Sequence, residues 1–383
     1  MWRSRLNGMK LYKKLALYLV GYKLIFYFCA AVSFWLLPPI FDKNAYLANF
    51  HWPQASSPPT DPLLYLKTWD SQCYLYLSQM GYSPGHLTNV SFPLWPFLIE
   101  VFSFVFFGSH FWSGLIISNI FSIAGLLLFF KLVYDDAGEE TAYRSLILIL
   151  AFPASIFFSF IYSEPLFFFL TAMFFVYLKR SRYEMASIFS FLMTLARPMG
   201  IFSILPLGYE ILRRKSKWRD WLCMAGPLFG LAVYFLVMHL WAGGMFEGVK
   251  AQRQFVFPIL PHQLLDAGRF LKSFFTPAEE VGNFAMPVLN RIWFVWFVLA
   301  LCLLWRRDKT YFVYALSAGL FPAVAMTFAG YGRYLLPVFP IFFVTARWFC
   351  ERKLKYFFIM LVAVLCVLQV FFLIRQINNY WVC

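Results

Sequence analysis

Residues 69–98, WDSQCYLYLSQMGYSPGHLTNVSFPLWPFL, decide how the chain is read. One carboxylate, Asp70, stands there among Trp, Tyr and Leu. Asp61 followed by Pro62 is a good helix start, and Gly81 marks where that helix ends, because glycine accepts the backbone turn that closes a helix. A second apolar run begins at Phe92 but carries Pro93 and Pro96 in its opening turn. An ionisable group in such company needs a partner or a task.

The surroundings of this stretch set the class. Of 383 residues, 61% are hydrophobic and 13% are charged, and several apolar runs reach the ~20 residues that cross a bilayer. The chain reads as an all-α polytopic membrane protein, one integral membrane domain over residues 1–383. A formal net charge of +15 would also suit a nucleic-acid binder, but 20 of the 33 Lys and Arg lie in five clusters, at 3–14, 179–182, 213–219, 306–309 and 347–355. All five flank apolar runs, which is the pattern of cytoplasmic loops. No nucleic-acid partner is expected. The seven cysteines contain no CxxC pair and mostly sit in apolar segments, where cysteine behaves as a small hydrophobe.

Residues 1–14 form a basic cytoplasmic tail, and the run at 16–37 is expected as an uncleaved first span, being longer than the ~7–15 residues of a signal-peptide core. It leads to a first external loop, 38–109. The cluster at 179–182 belongs inside, so an odd number of crossings separates it from Asp70. Runs at 111–131, 145–162 and 165–177 already make three. Residues 92–107 are therefore expected as a helix lying on or re-entering the outer interface. Residues 185–212 go out and return, turning at Arg197-Pro198, since proline disfavours helix in the residue before it. A span at 221–241 leads to a second long external loop, 242–285. Further spans follow at 287–305, 311–329, 334–349 and 356–374, about eleven in all.

This topology brings Asp70, Glu164, Arg197 and Arg333 to one face. Each also has a structural reading: Asp70 as a helix cap, Glu164 as a first-turn carboxylate, the arginines as side chains snorkelling to headgroups. Lys23, Glu100 and Arg291 are expected to be paired or interfacial. Together, an external carboxylate and two membrane-surface arginines suit transfer of a group from a lipid phosphate to a hydroxyl acceptor. The carboxylate takes the proton of the attacking hydroxyl, and the guanidiniums hold the phosphate as charge grows on it. No nucleotide-binding signature competes. A transporter or flippase of polyprenyl-linked saccharides would use similar charges, but with sites near the bilayer midplane and repeated halves.

The succession W-D at 69–70, G-Y at 81–82, F-P-L-W-P at 92–96, Y-S-E-P-L-F at 162–167, A-R-P-M-G at 196–200 and G-R-Y-L-L-P-V-F-P at 332–340 resembles the PIG-V family of integral membrane mannosyltransferases, within the GT-C superfamily. The resemblance implies a GT-C-type fold with interfacial helices in the first external loop, a polyprenyl-phosphate mannose donor, inversion, and an extracytoplasmic site. By motif position Asp70 is then the general base, Arg197 and Arg333 bind the donor phosphate, and Trp69, Glu164, Tyr82 and Tyr334 contact substrate; His262, in the second loop, joins them. Family members often have T-R-S-N-G where this chain has Ala196-Arg197-Pro198-Met199-Gly200. The short loops suggest a prokaryotic plasma membrane. No cofactor and no tightly bound metal are expected; the partners are the lipid-linked sugar, a hydroxyl acceptor and membrane lipids.

Overall fold

The computed structural model describes residues 2–36, 43–48, 50–54, 56–57, 61–254, 266–275, 287–325, 328, 330–380 and 382. Among them the regular structure is helical throughout. The helices are α1 (Trp2–Leu36), α2 (Lys43–Ala48), α3 (Asp70–Met80), α4 (Leu94–Ser103), α5 (His110–Ala137), α6 (Glu139–Ala151), α7 (Glu164–Lys179), α8 (Tyr183–Ala196) and α9 (Ile204–Arg213). They continue as α10 (Ala225–Trp241), α11 (Glu247–Gln252), α12 (Ala267–Phe275), α13 (Pro287–Arg307), α14 (Lys309–Ala325), α15 (Tyr331–Leu335), α16 (Pro340–Glu351) and α17 (Lys355–Ile377). Among the described residues five segments are long and apolar enough to cross a membrane: Lys10–Trp35, His110–Ala137, Trp218–Trp241, Val288–Arg307 and Lys355–Ile377. The six cysteines among the described residues are free.

The centre is built by α5, α7 and α8, which pack side by side, with α10 against α8 and α16 against α6 and α13. Phe129, Phe168, Phe175 and Phe339 interlock there by edge contacts at 5.4–6.2 Å. The outer helices α1 and α17 close one flank.

Three expected elements are broken, each for a local reason. The helix expected to run unbroken from Asp61 to Gly81 splits into a 3-10 turn at Pro62–Leu66 and α3. The break is at Trp69, whose φ of 54° lies in the left-handed region and cannot continue a helix. The span expected at 145–162 is a helix only to Ala151, because Pro153 has no amide to donate and its ring opposes helix in the residue before it. From there to Ser163 the chain leaves the α-helix, passing through a 3-10 helix at Pro153–Phe158 and then bends, and it is wholly buried. In hydrocarbon such backbone survives only if its carbonyls find donors. They do: Leu150 O takes Tyr22 Oη (3.1 Å) and Gln369 Nε2 (2.7 Å), Phe158 O takes Lys23 Nζ (2.6 Å), Ser159 O takes Tyr27 Oη (2.7 Å), and Phe160 O takes Ser118 Oγ (2.6 Å). Lys23 is thereby paired, as expected, with Ser159 Oγ as a second acceptor at 2.9 Å. The span expected at 334–349 is likewise divided, into α15 and α16, with Pro337 between them and Pro340 opening α16.

One other expectation holds in outline. The chain turns at Arg197-Pro198 between α8 and α9. At 92–107 the helix α4 with its 3-10 extension is only 13 residues, short of a crossing. It is strongly two-faced: Trp95 and Ile99 are fully buried, while Phe97, Phe104 and Phe107 stand exposed. Glu100 pairs with His110 at 3.4 Å, and Arg291 holds the carbonyls of Ser273 and Phe274.

Helix direction sorts the charges. Glu164 opens α7 and Lys179 closes it; α8 returns from Tyr183 to Ala196, so Arg197 comes back beside Glu164. At the opposite end Lys179 meets Asp136 and Asp308, and Arg307 meets Glu351.

Candidate functional site

Four breaks in regular structure deliver four charged side chains to one place. Asp70 is the first residue of α3, directly after the left-handed Trp69, where its carboxylate also suits the positive end of the helix dipole. Glu164 begins α7, followed by a proline that the first turn accommodates. Arg197 occupies the extended joint between α8 and the next 3-10 turn. Gly200 lets that turn lie on α8, because a Cβ there would run into the backbone of Met193 and Thr194. Arg333 stands in α15, entered through Gly330 at φ 68°.

The four form a chain of ion pairs. Arg333 Nη2 lies 2.6 Å from Asp70 Oδ2, and its Nε holds Glu164 Oε1. Arg197 Nη1 reaches the same Glu164 oxygen at 2.5 Å. Glu164 is 1% exposed and Arg333 4%, Arg197 is 10%, and Asp70 is 37%. The network is thus neutral in sum, buried at its middle and open at the Asp70 end. A carboxylate shared by two guanidiniums is held ionised, and each guanidinium is fixed by it; either partner alone at this depth would be strongly unfavourable.

Aromatic and hydroxyl groups complete the walls. The Arg333 guanidinium lies over the rings of Tyr162 (4.6 Å) and Phe157 (5.1 Å), and that of Arg197 over Tyr334 (5.3 Å). These faces supply cation–π attraction to largely buried guanidiniums. Ser163 Oγ sits between Tyr74 Oη (2.9 Å) and Arg197 Nη1 (3.3 Å). Tyr162 Oη donates to Thr68 O at 3.2 Å.

Of the expected site residues, Asp70, Glu164, Arg197, Arg333, Trp69 and Tyr334 gather here. Glu164 faces the two arginines. The Tyr82 hydroxyl donates to Ser91 O (2.8 Å), and its ring packs on a small core with Phe92 and Tyr234. His262 lies outside the described residues. Sequence reading passed over Tyr74, Tyr162, Ser163 and Thr68. Tyr74 was within reach, being one helical turn from Asp70 on the same face, and Tyr162 and Ser163 lie inside the Y-S-E-P motif itself.

The loops meet beside the site. Glu247 Oε2 accepts from Gly85 N at 3.2 Å and its Oε1 pairs with Lys250 at 2.7 Å, joining the second loop to the first. These two hydrogen bonds hold the Glu247 carboxyl below its ordinary value. Among the described residues no three His, Cys, Asp or Glu side chains gather as a metal site.

A family profile described as Mannosyltransferase (PIG-V) matches residues 13–257, well over half of the sequence. The chain belongs to the mannosyltransferase (PIG-V) family. Its long apolar helices make it an integral membrane protein. The matched part of this PIG-V family member contains Asp70, Glu164 and Arg197 but stops before Arg333. No curated protein sequence is significantly similar to it. Among solved structures it resembles an oligosaccharyltransferase of Archaeoglobus fulgidus (11% identity, TM-score 0.45, covering 94% of this chain and 53% of that one). Another is ArnT from Cupriavidus metallidurans (15% identity, TM-score 0.44, covering 87% and 60%). A further structure is the archaeal oligosaccharyltransferase AglB from A. fulgidus in complex with an inhibitory peptide and a dolichol-phosphate (11%, 0.42, 95% and 56%). The chain thus spans little more than half the length of these neighbours.

Proposed function

We propose that this protein transfers a hexose, by family mannose, from a polyprenyl-phosphate donor to a hydroxyl acceptor at the extracytoplasmic face, with inversion at the anomeric carbon. The observation that carries the reading is the buried ion-pair chain whose open end is Asp70. Asp70 accepts the proton of the acceptor hydroxyl as that oxygen attacks C1. The C1–O bond to phosphate breaks on the far side, and the electron pair leaves with the phosphate. Arg333 and Arg197, held in place by Glu164, meet the charge that grows there, so little reorganisation is needed at the moment of reaction. A planar fork suits this better than an ammonium, since one guanidinium spans two acceptors.

Supporting the face, the site lies at the opposite helix ends from the clusters at 179–182 and 347–355, and basic clusters mark the cytoplasm. This reading keeps the expected GT-C arrangement of about eleven crossings, with α4 as an interfacial helix. Supporting a donor carried in the membrane, an almost wholly apolar groove of about 460 Å³ runs between α1 and α5. It ends at Tyr65 and Leu66, just ahead of Thr68, and offers room for part of an isoprenoid chain. A dolichol-phosphate is bound in the AglB structure.

The test is donor choice. Purified protein offered labelled mannose on a polyprenyl phosphate or on a guanosine diphosphate is expected to transfer from the first alone. Transfer from the nucleotide sugar would overturn the lipid-donor reading.

A further inference from the structure

The site depends on two irregular segments, 67–69 and 152–163, and one face of the last helix touches both. Gln376, in the final turn of α17, is fully buried. Its Nε2 donates to Thr68 Oγ1 at 2.9 Å and to Tyr162 Oη at 3.0 Å. Tyr162 Oη in turn donates to Thr68 O at 3.2 Å, which closes a ring of three side chains and one carbonyl. Thr68 is two residues before Asp70, and Tyr162 is two residues before Glu164 and lies under the Arg333 guanidinium. Seven residues earlier on the same helix, Gln369 Nε2 holds Leu150 O (2.7 Å) and Phe152 O (3.2 Å) at the start of the second irregular segment. Positions seven apart fall two turns along one helical face.

A buried glutamine in a membrane helix is commonly a bond that merely joins helices. Here it does not join two helices. It grips the two-residue lead to the carboxylate, and Trp69 in that lead holds a left-handed backbone that relaxes unless its neighbours fix it. We infer that Gln376 is a positioning residue for transfer: through Thr68 and Tyr162 it sets where Asp70 stands relative to Arg333. The α17 helix lies beyond the part of the chain that the family profile covers, so this brace belongs to the part of the chain outside that match. The inference rests on Asp70 being the general base.

The experiment compares wild type with Gln376→Met, which keeps length and removes the donor, Gln376→Glu, which keeps length and shape and, as the buried acid, one donating hydrogen in place of two, and Thr68→Val. Turnover is measured with a short polyprenyl-phosphate-mannose in detergent, together with thermal midpoint and hydrogen exchange of the Ser71 and Gln72 amides, which bond to Thr68 O and Trp69 O. Gln376→Met is expected to lower kcat about tenfold at unchanged donor KM and nearly unchanged thermal midpoint, and to speed exchange of those two amides. Thr68→Val is expected to do the same, with the double variant no worse than either, as residues acting through one link behave. Gln376→Glu is expected to fall between. Wild-type kcat and exchange in Gln376→Met would overturn the inference, as would a fall in kcat matched by a general loss of stability. If Asp70→Asn itself turns over normally, the base assignment fails, and the amide exchange still decides whether Gln376 holds the turn.

Discussion

The two ends of the helix bundle both carry ion pairs, and they are built differently. At one end Asp70, Arg333, Glu164 and Arg197 form a buried chain, each residue presented by a break in regular structure. At the other, Arg213 and Arg214 with Glu210, Arg347 with Glu351 and Lys131 with Asp135 pair within one helical turn, Lys179 with Asp136 and Asp308 and Arg307 with Glu351 pair between helix ends, and the bases are a quarter to a half exposed. The second kind follows from helix geometry and neutralises helix ends. The first kind requires the backbone to leave the helix at Trp69, through 152–163, at Arg197 and at Gly330, and side chains from distant helices to bond carbonyls so freed. Structure is irregular where side chains must converge and regular where they need only be soluble.

Substitutions can break that contrast or sharpen it. The largest stability effect is expected from Glu164→Gln, which leaves two buried guanidiniums sharing a neutral amide. Removing one partner of a buried pair typically costs about 3–5 kcal/mol, read as a steep fall in thermal midpoint in detergent. Arg333→Lys is expected next. It keeps the charge but cannot hold Asp70 and Glu164 together, so transfer should drop at least ~10-fold, a loss of about 1.4 kcal/mol in transition-state stabilisation. Gly200→Ala should destabilise by about 1–3 kcal/mol, because its Cβ meets the backbone of α8. At the other end, Glu351→Gln removes pairs that are 42% exposed on the acid side and should shift stability by about 0–1 kcal/mol with no change in transfer. An effect at Glu351 as large as that at Glu164 would erase the distinction between the ends.

The smallest effect concerns pH. The folded Glu247 carboxyl lies below its ordinary value, so its tie to Gly85 and Lys250 contributes above the ordinary carboxylate range and fades as pH falls through it. Protection of the Gly85 amide, measured as exchange relative to its intrinsic rate at each pH, is expected to fall on acidification, and Glu247→Gln to remove the pH dependence of that protection.

Much of this was legible in the residues. Composition and basic clusters gave the membrane class and the helix directions, and direction alone brought Asp70, Glu164, Arg197 and Arg333 to one end. The break at Arg197 was readable because Pro198 follows it. The break after Ala151 was not, although Pro153 marks it, because the apolar run continues unbroken to Tyr162 and hydropathy does not separate a buried irregular strand of chain from a span. Trp69 was read for its motif and not for its left-handed backbone, which is unusual in a residue with a side chain. The bracing of these segments by Tyr22, Lys23, Tyr27, Gln369 and Gln376 depends on contacts across more than a hundred residues. The single hint was a polar residue inside an apolar helix.

The central claim is that the open end of the ion-pair chain is the base. The most direct measurement is release or transfer of labelled mannose from a short polyprenyl-phosphate-mannose by purified protein, wild type against Asp70→Asn, with folding of both checked by thermal unfolding. Loss of a positioned general base is expected to lower turnover by about 10²–10⁴-fold while the variant still binds the donor and remains folded. Undiminished turnover in Asp70→Asn would contradict the account, and failure of the wild type to bind the donor at all would move the protein from enzyme towards carrier of a lipid-linked saccharide.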